Sequence, residues 1–193
     1  RTVILPELIA RRRQERTLRI WSAGCSSGEE AYSVAIALDM LLPSRAQWNI
    51  TLRGTDINEQ ALVRARSASY SEWSFRGVPK DVRARYFEPE GRRFRLKSWI
   101  REMVEFEYLN LVEDSYPSAA NDTSAMDLIL CRNVLIYFRH ETIEQVVARL
   151  EQSLEELAAA VEYDFVVVND DLELAVRAVH AIRALPEVAR WMP

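Results

Sequence analysis

The chain has 193 residues, 49% hydrophobic and 28% charged, with a net charge of −4. That is an ordinary globular composition for one domain, or one domain with an appendage, and the length supports a full core without disulfides or structural metals. The acidic balance argues against a nucleic-acid binder and leaves only a local basic stripe open. The two cysteines, Cys25 and Cys131, lie far apart and form neither a disulfide framework nor a metal-ligand spacing. There is no signal peptide and no apolar run of membrane-spanning length, so the expected setting is the cytoplasm, with reduced thiols. Arg1 stands where an initiator Met would be, which suggests a piece of something longer.

Residues 3–14 read as a helix, with Leu5, Leu8 and Ile9 before a basic run, Arg11-Arg12-Arg13, that suits a helix C-terminus. Residues 18–23 form a short apolar strand. A turn at Ser26-Ser27-Gly28 leads into a helix over 29–42, stopped by Pro43. A second strand covers 48–55 and ends at Asp56; a helix over 58–66 follows, with Asn58 as its N-cap. Residues 67–103 differ. They are rich in aromatics (Tyr70, Trp73, Phe75, Tyr86, Phe87, Phe94, Trp99) and read as a small inserted subdomain with short helices and a β element.

A strand over 104–111 comes next, then a polar loop over 115–124 and a buried strand over 126–131. A long helix over 140–162 carries Ile143, Val146, Val147, Leu150, Leu154 and Leu157 on one face. A strand over 164–168 and a helix over 172–185 close the chain. The alternation predicts an α/β fold with a mostly parallel sheet flanked by helices. All five glycines fall between Gly24 and Gly91.

Three segments could carry chemistry. In Ser22-Ala23-Gly24-Cys25-Ser26-Ser27-Gly28-Glu29-Glu30, small residues after a strand allow a ligand to approach the backbone. Glu29 and Glu30 at the helix start would repel a phosphate and suit a polar or cationic ligand. The alternative is a plain strand-to-helix turn with acids that compensate the helix dipole. Gly54-Thr55-Asp56-Ile57 places an acid at a strand end, where it can bind ribose hydroxyls or merely cap a helix. Cys131-Arg132-Asn133 ends a buried strand and would point polar groups into a cleft, with Tyr137 near a substrate; an ordinary strand exit with a packed Tyr is the alternative. Neither His140 nor His180 is in such a segment, and no metal site is expected.

These strings, together with Arg85-Tyr86-Phe87, Phe106…Asn110-Leu111 and Val134-Leu135-Ile136-Tyr137-Phe138, resemble in order and spacing the chemoreceptor glutamate methyltransferases, the CheR family, over roughly residues 1–150. Ala31 stands where the family usually has Pro. The resemblance implies a Rossmann-like class I methyltransferase that uses S-adenosylmethionine and releases S-adenosylhomocysteine. It implies that Ala23, Gly24, Gly28, Glu29 and Glu30 border the methionine moiety. By the same carry-over Asp56 holds the ribose, with Ile57 beside it, Asn110 and Leu111 flank the adenine, and Arg132 and Asn133 contact the cofactor. Tyr137 and Arg132 are then the candidate catalytic residues. The implied partner is the cytoplasmic domain of methyl-accepting chemoreceptors, and the implied state a cytoplasmic monomer with no nucleic acid and no membrane insertion. The span 87–94, with Gly91 alone, is short for the loop that some members use to grip a receptor-tail pentapeptide, so no such grip is expected.

Two departures keep other readings in view. The family carries a docking domain, and a Thr and an Arg that contact cofactor and substrate, ahead of the segment that corresponds to Arg1; the alternative is a truncated or chimeric cofactor-binding module without catalysis. Residues 151–182 resemble the C-terminal end of guanylate kinases, including Tyr163-Asp164-Phe165-Val166-Val167-Val168-Asn169-Asp170-Asp171. A nucleotide kinase fragment is the remote alternative, since no Gly-x-x-x-x-Gly-Lys-Ser/Thr loop is present. Residues 151–193 are expected to form an atypical helix-strand-helix tail packed on the same sheet.

Overall fold

A computed structural model describes residues 4–158 and 165–169. The chain divides into two compact units, residues 1–110 and 111–193.

In the first unit, strands β1 (Thr17–Ala23), β2 (Asn49–Asp56) and β6 (Glu105–Tyr108) run parallel, with β2 in the middle. β1 matches β2 from Thr17 opposite Asn49 to Ala23 opposite Thr55, so both strands end at the same level. Leu18, Ile20, Trp21 and Leu52 are buried, as expected of strands covered on both faces. The Trp21 indole N–H has a buried acceptor in Thr55 Oγ1 at 2.9 Å, which avoids the cost of a bare polar group in the core.

Helix α1 (Ile4–Arg11) buries Leu5 and Leu8. It stops earlier than the sequence suggests, within the basic run. Helix α2 (Glu29–Leu41) buries Ala31, Tyr32, Val34, Ala35 and Leu38. Helix α3 (Glu59–Ser67) begins as predicted: the Asn58 side chain caps it by accepting the Ala61 amide at 3.1 Å. The expected strand over 104–111 shortens to the four residues of β6, and Asn110 lies beyond it.

The insert folds as its own antiparallel sheet, β3 (Ser69–Ser71), β5 (Arg93–Leu96) and β4 (Phe87–Glu90), with β5 central. Its aromatics pack edge to face: Phe75 on Phe87 at 4.8 Å and on Phe94 at 5.2 Å between centroids, pairs worth about 0.5–1.5 kcal/mol each beyond burial. Gly91, at φ +61°, opens the two-residue turn between β4 and β5. Helix α4 (Lys80–Tyr86) ties the insert to α2, where Asp39 accepts the Tyr86 hydroxyl at 2.9 Å and pairs with Arg85 at 3.3 Å. A single turn, α5 (Ser98–Arg101), leads back to β6.

In the second unit, β7 (Leu128–Arg132) pairs in parallel with β8 (Phe165–Asn169), Leu128 opposite Phe165 and Arg132 opposite Asn169. The strand expected after the long helix therefore lies where a crossover would bring it. Helix α6 (His140–Ala158) buries Ile143, Val146, Val147, Leu150 and Leu154. The helix expected over 172–185 falls outside the described residues. Parallel strands flanked by helices make this a mixed α/β fold, as the alternation predicts. No helix among the described residues is long and apolar enough to cross a membrane.

Candidate active site

The loop between β1 and α2 has an unusual backbone for its sequence. Gly24, Ser26 and Gly28 have φ of 76°, 49° and 87°, so three of five consecutive residues sit in the left-handed region that glycine tolerates and serine does not favour. At Gly28 space is short as well: a Cβ would lie 3.0 Å from both Ala65 Cβ and Phe106 Cζ.

What fixes the loop is the end of β2. The amides of Gly24 and Cys25 both donate to the Thr55 carbonyl, at 2.8 and 2.9 Å. The Ser26 amide donates to Asp56 Oδ2 at 2.8 Å, and the Asn58 amide to Asp56 Oδ1 at 2.8 Å. Asp56 is thus held by one backbone amide on each oxygen. A carboxylate offers about four acceptor positions, so each oxygen keeps one for a ligand hydroxyl. The Leu109 amide donates to the Asp56 carbonyl at 3.2 Å, which brings Asn110 to the same strand ends. Ile57 is exposed beside Asp56.

Acids gather on the loop. Glu30 accepts the buried Ser22 hydroxyl at 2.8 Å, and Glu29 accepts the Ser27 hydroxyl at 2.7 Å. Beneath them the Cys25 thiol is buried. Burial, with the Asp56 carboxylate next in weight, pushes its pKa up to about 12, so it is a neutral packing group. Phe106 closes the floor. Its ring meets Tyr32 edge-on at 5.4 Å and lies so close to Gly54 that a Cβ there would be 2.7 Å from it.

In the first unit the structure therefore brings Ala23, Gly24, Gly28, Glu29, Glu30, Asp56, Ile57 and Asn110 to one set of strand ends. In the second, Leu111 is buried, and Arg132 and Asn133 are exposed where β7 ends, Asn133 at φ 58°. Tyr137 closes the short helical turn Leu135–Tyr137 and is 80% exposed, so it is not a packed strand-exit tyrosine. Among the described residues no group of His, Cys, Asp or Glu could hold a metal ion. His140 is exposed, 3.7 Å from Glu144.

Sequence reasoning missed Tyr70, whose hydroxyl donates to the Ser27 carbonyl at 2.9 Å, because one tyrosine among many aromatics gives no signal. It also missed Arg149, which donates to the carbonyls of Leu111, Val112 and Asp114 at 2.7–2.8 Å.

Residues 1–161 match the family model of the CheR methyltransferase, SAM binding domain. A chemotaxis protein methyltransferase of Borreliella burgdorferi is 36% identical over 143 residues, which cover 72% of this chain and 49% of that protein. Chemotaxis protein methyltransferase 1 of Pseudomonas aeruginosa is 37% identical over 156 residues, 78% of this chain and 55% of its own length. A probable chemotaxis protein methyltransferase of Rhizobium etli is 35% identical over 143 residues, with shares of 72% and 52%. The chain thus spans about half the length of the relatives it matches.

Proposed function

The chain belongs to the CheR methyltransferase family, matching its SAM-binding domain, and we propose that it moves a methyl group from S-adenosylmethionine to glutamate side chains of bacterial chemoreceptors. The observation that carries this reading is Asp56, fixed at the end of β2 by the Ser26 and Asn58 amides with acceptor positions to spare for ribose hydroxyls. The loop fits the rest of the cofactor. Glu29 and Glu30 beside it favour a fixed positive charge such as a sulfonium, and no Lys stands where a phosphate would need one.

When bound, the cofactor supplies an electrophilic methyl group. The residues of the chain then have to bind and align. Ala23, Gly24 and Gly28 border the methionine part, Asp56 and Ile57 the ribose, and Asn110 and Leu111 the adenine, while Arg132 and Asn133 also contact the cofactor. Tyr137 and Arg132 orient the incoming side chain. A glutamate carboxylate is already ionised at neutral pH, so the reaction needs no general base; alignment is the main demand. The absence of His from the proposed roles agrees with this.

On this reading the partner is the cytoplasmic domain of the receptor. The protein works as a cytoplasmic monomer, without nucleic acid and without membrane insertion. We read residues 151–182 as a guanylate-kinase-like segment that serves the fold and not phosphate chemistry. The short turn at Gly91 gives no grip on a receptor-tail pentapeptide.

Calorimetric titration with S-adenosylhomocysteine tests the cofactor site. Asp56→Ala removes charge-assisted hydrogen bonds of about 1.5–3 kcal/mol and should weaken binding more than about tenfold. An unchanged Kd would sink the assignment. Methyl transfer to a receptor cytoplasmic fragment tests the substrate.

A further inference from the structure

We infer that Tyr70 is a positioning residue for the cofactor loop, holding the Ser27 carbonyl from the inserted sheet and so fixing the conformation in which residues 24–28 receive the cofactor. This rests on the cofactor reading above. The loop needs such a hold. Gly24 and Gly28 adopt left-handed backbone freely, but Ser26 between them, at φ 49°, persists there only where neighbours over-determine it. The contacts from Thr55 and Asp56 act on the amides of residues 24–26. Beyond them, at Ser27, the hold comes from outside the parallel sheet: the Tyr70 hydroxyl, 2.9 Å from the carbonyl.

Tyr70 is itself held rigidly. It is 5% exposed on β3 and packs edge-on against Tyr32 of α2 and Phe87 of β4, both at 6.4 Å. Burial raises its pKa, so the phenol remains a donor at neutral and moderately alkaline pH. The insert therefore has a role in the cofactor site although its sheet is separate: it supplies a fixed hydroxyl to the Ser27 carbonyl.

Tyr70→Phe removes only the hydroxyl and keeps the ring contacts. Tyr86→Phe is the control, because it also removes a tyrosine hydroxyl that joins insert to α2, here through Asp39, but far along the helix from the loop. Both variants should fold, as judged by circular dichroism. Loss of one such bond is expected to weaken S-adenosylhomocysteine binding about fivefold in Tyr70→Phe and to leave Tyr86→Phe unchanged. In methyl transfer by the full-length protein, the KM for S-adenosylmethionine should rise while kcat at saturating cofactor is retained. Amide exchange at residues 26–28 of the ligand-free protein should quicken in Tyr70→Phe alone. Binding and exchange equal to the parent protein, or equal losses in both variants, would overturn the proposal. If the parent protein itself binds no S-adenosylhomocysteine, the cofactor reading falls instead, and the exchange comparison still decides whether Tyr70 fixes the loop.

Discussion

Cys25 shows how one side chain beneath the loop answers to its surroundings. The thiol is 4% exposed, under residues whose carboxylates cannot neutralise a thiolate. Burial and then Asp56 move its pKa from 9.0 up to about 12. Tyr32, Tyr70 and Tyr116 are likewise raised above the ordinary phenol value, chiefly by burial. For all four groups the folded state holds its proton more tightly than the unfolded chain. Their contribution to stability is therefore complete below about pH 9 and declines as pH rises from about 9 to 12, where the unfolded chain ionises first. Melting temperature measured against pH should be level across the neutral range and fall above about pH 9. Cys25→Ala should flatten the first part of that fall. A melting curve that rises with pH in this window would contradict the burial of these groups. The same burial predicts that alkylating reagents at neutral pH modify Cys25 only slowly.

Among the elements, α6 does more than cover a strand. Its apolar face was legible from spacing: Ile143, Val146, Val147, Leu150 and Leu154 are all buried. Arg149, one residue from that face, was not legible, because its partners are backbone carbonyls that no sequence pattern marks. It donates to Leu111, Val112 and Asp114, and its guanidinium lies 4.5 Å from the Tyr116 ring centre. Tyr116 in turn donates to the Leu111 carbonyl at 2.9 Å. Residues 115–124, which read as an ordinary polar loop, thus contain a buried tyrosine that belongs to the structure around Leu111. Arg149→Ala removes three hydrogen bonds to backbone carbonyls and should destabilise the fold by about 2–3 kcal/mol. On the proposed placement of the adenine it should also weaken S-adenosylhomocysteine binding through Leu111. Arg149→Lys retains a charge but not the planar fork and should recover only part of the loss. Chemical denaturation and calorimetry on both variants provide the check; full stability in Arg149→Ala would show the clamp to be idle.

At the scale of the whole chain, the alternation of strand and helix announced the fold, because period and punctuation are local properties. Gly28 announced a turn, whereas nothing local marked Gly54 as a close approach. That Phe106 is the neighbour requiring both depends on the register of β6 with β2, which no local pattern contains. The insert announced itself by composition alone; its strand order, with β5 between β3 and β4, is a matter of tertiary pairing. Of the site, the residues next to glycines or at strand ends were visible. Tyr70 and Arg149, whose partners are backbone carbonyls, were not.

The strand Phe165–Asn169 gives the sharpest test of the second unit. Its four apolar residues, Phe165 to Val168, could belong to a buried strand or to a buried stretch of helix by periodicity alone. β-branching and the long helix before it favoured a strand, and the structure pairs it in parallel with β7 over five residues. A ladder of that length protects amides. Hydrogen exchange at Val166, Val167 and Val168 should be far slower than in a free peptide of the same sequence. Val167→Pro sits in the middle of the ladder, opposite Leu130. It fixes φ and removes an N–H, so it should abolish protection at its neighbours and raise exchange along Leu128–Arg132. The Asp56 and Tyr70 contacts lie in the first unit and do not involve this ladder, so the exchange pattern at residues 24–28 should change much less. Free-peptide rates at Val166–Val168 in the parent protein would mean that β8 is not part of the sheet.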